Sequence, residues 1–323
     1  MKRRFSVFAV SFTLLLWALT GWAQTPATGE PASSGNPTAA NPMKVALLKW
    51  YKADLATSFA VGSQPYGMAF DGANMWIANY GDGTVSKLRA NDGTVLGTYK
   101  VGNAPLGVTF DGANVWVSIG NGVTKLRASD GTVLGTFTLG LGPFWMAFDG
   151  SHIWVSVGNN SVAKLRASDG KTLGTFTVGS SPLGIAFDGS NVWVTNYGDG
   201  TVSKLRASDG TALGTFTVGF DPLGICFDGA NIWVANRGGT VSKLRASDGK
   251  TLGTFTVGGL PYGIAFDGAN IWVGGAPQVD ELRGSDGAIL GVFNIPQTNA
   301  TGVAFDGANV WIAGLDDNKV YKF

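Results

Sequence analysis

Short apolar runs of four to six residues, separated by polar, turn-forming groups, follow one another along most of this chain. In Pro182–Gly219 the runs are Leu183–Phe187, Asn191–Thr195, Val202–Ala207 and Leu213–Val218. They are rich in Val, Ile, Phe, Trp and Thr and too short for helices, so they predict strands. Between them stand Asp-Gly-Ser-Asn, Asn-Tyr-Gly-Asp-Gly-Thr and Ala-Ser-Asp-Gly. Gly accepts positive φ and Asp or Asn bonds to nearby backbone, so each group predicts a hairpin turn. The unit is therefore a four-stranded antiparallel meander. In its second run Val192 and Val194 point one way while Trp193 and Thr195 point the other, which makes both faces apolar. Such a strand belongs to a sheet packed between two neighbouring sheets.

The unit repeats. Phe-Asp-Gly recurs with its Phe at Phe70, Phe110, Phe148, Phe187, Phe227, Phe266 and Phe305, at spacings of 40, 38, 39, 40, 39 and 39 residues. The second-run Trp recurs in step, at Trp76, Trp116, Trp154, Trp193, Trp233, Trp272 and Trp311. A period near 40 residues indicates a solenoid or a propeller. A linear solenoid needs polar caps; this chain has complementary incomplete ends instead. Thr301–Phe323 supplies two strands and a third at Val320–Phe323, then stops, while Thr57–Gly62 matches the missing fourth strand. Pairing the two closes the ring and removes exposed edges. Val45–Leu48 competes for the same third-strand slot. The C-terminal segment is favoured, because its connection from Trp311 has the length of the one from Trp76; residues 44–52 then pack on the rim or underside. The expected fold is all-β: a seven-bladed β-propeller of four-stranded antiparallel blades.

Composition adds the compartment. Lys2, Arg3 and Arg4 precede the mostly apolar Phe5–Leu19 and the small-residue site Gly21-Trp22-Ala23, so residues 1–23 read as a signal peptide. Residues 24–43, rich in Pro, Ala, Ser and Gly, read as a disordered linker before the propeller at 44–323. Cleavage leaves no membrane span and 20 basic against 22 acidic residues, a formal charge of −2. That balance excludes nucleic acid as a partner. Cys226, the lone cysteine, reads as a small buried apolar side chain and permits no internal disulfide. An exported protein without disulfides fits a bacterial periplasm or exterior, and a monomer is expected.

The two rims of the predicted ring differ. The first-to-second connections (Asp-Gly-Ala-Asn, with two variants) and the third-to-fourth connections are nearly uniform and share one rim. Recurrence of one hairpin explains them; calcium would need more oxygen ligands than one Asp per turn. The opposite rim carries the strand-one entry loops and the second-to-third connections, which vary. Its bulky or charged additions are Tyr66, Tyr80, Phe144, Trp145, Tyr197, Phe220, Arg237 and Tyr262. These are the candidate ligand-binding residues, since large side chains in loops on a rigid scaffold act as recognition anchors. Tyr66, Phe144, Leu183 and Tyr262 have a rival reading as plugs of the axial channel.

Catalytic chemistry is sparse. His152 is the single histidine and lies in a uniform-rim turn. One His and one Cys cannot build a metal cluster, and no HExxH, phosphate loop or nucleophile elbow occurs. Asp280 and Glu281 replace the Ser-Lys of the repeated Val-Ser-Lys-Leu-Arg strand. Adjacent on a strand, they point to opposite faces and make a poor acid–base pair, so they read as a local charge change favourable to a neighbouring Lys or Arg. No catalytic residue and no cofactor is assigned.

The motif carried by Pro65-Tyr66-Gly67, Phe70-Asp71-Gly72, Trp76, Asn79 and Thr84-Val85, and again by Pro182, Gly184, Phe187, Trp193, Asn196, Val202 and Gly219, resembles the YVTN-type bacterial β-propeller repeat proteins. These are related to NHL-repeat and virginiamycin B lyase-like propellers. The resemblance covers Leu55–Phe323 and implies an exported seven-bladed fold with surface or interaction functions. Its lyase branch uses a histidine base, a glutamate and magnesium to open a cyclic peptide lactone. This chain departs from that pattern, with His152 on the wrong rim and Glu281 without a histidine beside it. The expected function is an exported non-catalytic scaffold whose variable face binds a protein, peptide or glycan. The alternatives are a virginiamycin B lyase-like enzyme and a small-ligand-binding propeller.

Overall fold

The computed structural model describes residues 57–140, 142–295 and 298–323. They form seven four-stranded sheets, each an antiparallel meander in chain order except the last. The fourth blade shows the pattern: strands Pro182–Phe187, Asn191–Asn196, Thr201–Arg206 and Ala212–Thr217. The seventh blade is made from both ends of the propeller, with Ala300–Phe305, Val310–Gly314, Lys319–Lys322 and then Thr57–Ala60. Ser58 faces Tyr321 and Phe59 faces Val320 across that seam. The C-terminal segment thus holds the third-strand slot, and the ring closes as the repeat pattern implies. The leader, the linker and the placement of residues 44–52 lie outside the described residues. Among the described residues no helix is long and apolar enough to cross a membrane.

The core lies between the blades rather than within them. Trp154 shares a buried cluster with Val192 and Val194 of the next blade. Trp193 in turn packs with Ile232 and Val234 of the blade after. A strand apolar on both faces is thus covered on both, as its alternation requires. Each blade also stacks a fourth-strand aromatic on its own Trp, as Phe216 does on Trp193 with ring centres 5.5 Å apart. The other face of the aromatic receives the next blade's turn glycine. At Gly210 (φ +77°) a Cβ would lie 2.0 Å from the Phe176 ring, so conformation and space both require glycine.

The repeated Asp serves this packing. Asp188 accepts the Trp193 indole N–H at 2.7 Å and the backbone N–H groups of Ser190 and Asn191 at 2.9 and 2.6 Å. A fully buried Trp thereby keeps its polar edge satisfied. Burial opposes ionisation of this carboxyl, but the indole, the Asn191 amide and the two backbone donors outweigh it and hold Asp188 below its ordinary 3.8. Asp71, Asp111, Asp149, Asp228 and Asp306 are lowered in the same way. A carboxyl lowered on folding stabilises the native state above its unfolded value and loses that contribution as pH falls through the folded one. Thermal melts are therefore expected to hold steady from neutral pH down to about 4 and to drop progressively below it. A melting temperature unchanged between pH 5 and 2.5 would contradict this role. Asp280 and Glu281 carry the opposite sign, since burial raises both, but two groups do not offset six.

A buried lysine fastens each blade to the next. Lys204 lies over the Trp193 ring, 4.9 Å from its centre, and donates from Nζ to the carbonyls of Ala246 and Ser247 at 2.6 and 3.1 Å. Lys87, Lys125, Lys164, Lys243 and Lys322 repeat the arrangement. Only the sixth blade differs, with Glu281 in the slot. In the following blade the third strand is Lys319–Lys322 and the fourth is Thr57–Ala60, so the two are not joined by a hairpin turn. Phe323 packs there on Trp272 and Phe293. The expected neighbouring Lys or Arg is replaced by amides. Glu281 accepts from Asn270 Nδ2 at 2.8 Å, and Asp280 from Gln278 Nε2 and the Gly258 N–H.

Candidate functional site

The first strand of each blade runs along the axis and begins, in six of seven blades, at or just after a Pro-x pair. The residue after that proline is Tyr66, Leu106, Phe144, Leu183, Leu223 or Tyr262, and all six converge on one pocket at the variable rim. Tyr80 and Trp145 complete the wall, which encloses about 300 Å³. The position after it is glycine in every blade but the third. At Gly184 a Cβ would lie 2.2 Å from the Leu223 carbonyl oxygen, so glycine is what lets adjacent inner strands approach. Second-strand hydroxyls then pin the wall. Ser118, Ser156 and Thr195 donate to the carbonyls of Phe144, Leu183 and Leu223 in the following blades at 2.6, 2.6 and 2.9 Å. Across the seam it is a first-strand hydroxyl, Thr301, that donates to the Pro65 carbonyl at 2.9 Å.

The aromatic wall is continuous. Tyr66 lies 5.5 Å from Tyr80 and 6.1 Å from Tyr262 between ring centres, and Trp145 meets Tyr262 edge-on at 6.2 Å. Desolvation pushes Tyr262 up strongly, reinforced by Tyr66 and opposed by the nearby Arg237. Desolvation also raises Tyr66, with smaller contributions from Tyr80 and Asp316. Both phenols stay neutral at any physiological pH, and no carboxylate, imidazole or lysine is among the lining residues. The pocket can stack planar groups and offer phenolic hydrogen bonds. A magnesium ion would find no oxygen-rich ligand set there.

Five of the eight candidate residues, Tyr66, Tyr80, Phe144, Trp145 and Tyr262, meet in this pocket. Tyr197, Phe220 and Arg237 stand outside its wall, Phe220 with 74% of its surface exposed. Their loops fold over the entry loops, where Tyr197 N–H donates to Ser181 and Arg237 N–H to Asp221. Leu106, Leu183 and Leu223 also line the pocket; the signal for them was their shared slot after the proline. The plugging and lining readings merge, since the same side chains narrow the channel and wall the cavity above it.

The uniform rim holds the remaining chemistry. His152 takes the place of an Asn and bonds through Nδ1 to Asp149. Cys226 packs beside Trp233, and burial pushes its thiol up.

Comparison with solved structures bears on the ring as a whole. A catalytically inactive His-to-Ala variant of virginiamycin B lyase from Staphylococcus aureus, with quinupristin, superposes with a TM-score of 0.72 at 22% identity. The match covers 83% of this chain and 98% of that one. The chain has the fold of the streptogramin B lyases. Selenomethionine-substituted virginiamycin B lyase from the same organism gives 0.71 at 21% identity, and a further streptogramin B lyase structure 0.70 at 19%, each over 83% of this chain. At these identities the likeness is one of fold. No protein-family model and no curated protein matches the sequence.

Proposed function

We propose that this protein is an exported, non-catalytic binding propeller that takes a compact, uncharged, ring-bearing group into its axial pocket. The group is presented by a peptide, a glycan or a free small molecule. The observation that carries this is the convergence of six post-proline side chains, Tyr80 and Trp145 on one neutral aromatic cavity. Such a lining favours stacking and burial over proton transfer, because it holds no carboxylate, imidazole or lysine. The amino-terminal leader pattern supports export.

The second reading is lyase-like catalysis, favoured by the shared fold with a quinupristin-bound virginiamycin B lyase. One experiment separates the two. Quinupristin and magnesium are incubated with high enzyme concentration and followed by chromatography, while N-phenyl-1-naphthylamine fluorescence reports the pocket. The expected result is an intact depsipeptide and a saturable fluorescence rise, weakened about tenfold or more, or about 1.4 kcal/mol, in the Tyr66→Ala/Tyr262→Ala double variant. A linear product would overturn the non-catalytic reading. Undiminished dye binding by the double variant would overturn the site.

A further inference from the structure

Trp145 is the one break in the ring of inner-strand glycines. Its backbone sits where theirs do: Trp145 N–H donates to Ser156 Oγ at 3.0 Å, as Gly107 N–H does to Ser118 Oγ and Gly184 N–H to Thr195 Oγ1, both at 2.8 Å. Its indole leaves the third blade and meets Tyr262 of the sixth, on the far side of the axis, at 6.2 Å. Below it lies a second cavity of about 150 Å³ along the axis, walled by Gly67, Gly107, Gly224, Gly263 and Gly302, by the apolar side chains beside them and by the polar Thr301. Trp145 borders both this tunnel and the aromatic pocket above.

We propose that Trp145 is the specificity-determining residue of the axial pocket, a bar across the channel that sets how deep a ligand reaches. With the indole in place the pocket accepts a ring but stops any chain extending from it. Without it, pocket and tunnel join into one narrow shaft suited to a ring bearing a linear apolar tail. The inference rests on the axial pocket being the binding site.

The test titrates the full chain calorimetrically with 4-alkylphenols from methyl to octyl. Wild type is expected to gain affinity over the first carbons and then level off. Trp145→Gly is expected to continue gaining, by about three- to fourfold for each further methylene, since each buried CH₂ is worth about 0.8 kcal/mol. Trp145→Phe, which keeps a ring across the axis, is expected to retain the levelling. Circular dichroism checks that each variant is folded. The same chain-length dependence in wild type and Trp145→Gly would overturn the role of Trp145 while leaving the pocket intact. Binding of long-chain phenols by Trp145→Gly alone would support the bar while counting against the pocket as the native ligand site. Failure of both proteins to bind any member would overturn both proposals.

Discussion

A chain ending at Asn318 is expected to lose the native cooperative unfolding transition. The five residues removed form the third strand of the closing blade, with Thr57–Ala60 on one side and Val310–Gly314 on the other. Val320 is fully buried with Trp311, Met75 and Leu88 at the interface to the first blade, and Tyr321 is buried at the interface to the sixth. Lys322 bonds the carbonyls of Ala90 and Asn91, the sixth of the blade-to-blade lysine contacts. Phe323 covers Trp272. Their loss opens the seam, strands Thr57–Ala60 and exposes two edges. The combined cost is expected to exceed the roughly 5–15 kcal/mol by which a native domain is stable. Near-native melting of the truncated protein, with unchanged resistance to limited proteolysis, would show that closure contributes little.

Trp193→Ala is expected to cost about 4–5 kcal/mol, at the upper end for a buried aromatic truncation. The indole is fully buried and joins three things at once: the stack on Phe216, the hydrogen bond to Asp188 and the contact under Lys204. Its removal leaves a cavity between the fourth and fifth blades and a carboxylate short of one donor. Trp193→Phe keeps much of the volume and loses the N–H, so a smaller loss of about 1.5–3 kcal/mol is expected, the range for a hydrogen bond to a charged group. Urea unfolding of both variants measures the difference. A Trp193→Phe loss near zero would mean that the indole N–H to Asp188 bond contributes nothing beyond packing.

The fold was almost wholly legible from residues. The Trp at 38- to 40-residue intervals, the turn tetrads and the match of Thr57–Gly62 to the fourth-strand motif led to the observed ring, strand by strand to within a residue or two. Repetition made this possible, because seven imperfect copies average out local ambiguity. Lys87 and its equivalents were not legible as buried fasteners. A lysine in a polar-looking Ser-Lys pair resembles a solvated residue until the next blade's turn carbonyls are placed over its Nζ. Glu281 was misread for the same reason. What sets its environment is the absent turn of the closing blade, a feature of topology rather than of its own strand.

The candidate site was legible in part. The division into a uniform and a variable rim pointed to the face that holds the aromatic pocket, and five of the candidate residues line it. Tyr80 and Tyr197 occupy equivalent repeat positions, yet only Tyr80 is in the wall, where its ring packs on Tyr66. Sequence assigns them the same slot; it carries no information about which neighbour each ring finds.

By itself, then, the sequence determined the strands, their order in each blade, the number of blades and the closure, because these follow from local turn chemistry, two-residue alternation and a repeat that must hide both faces of every sheet. The tertiary structure alone decided what lies across the axis. Trp145 and Tyr262 belong to blades three apart, and their contact depends on the ring's diameter and on how far an indole projects from a slot otherwise held by glycine. Those are distances set by the packing of all seven sheets together, and no single repeat encodes them.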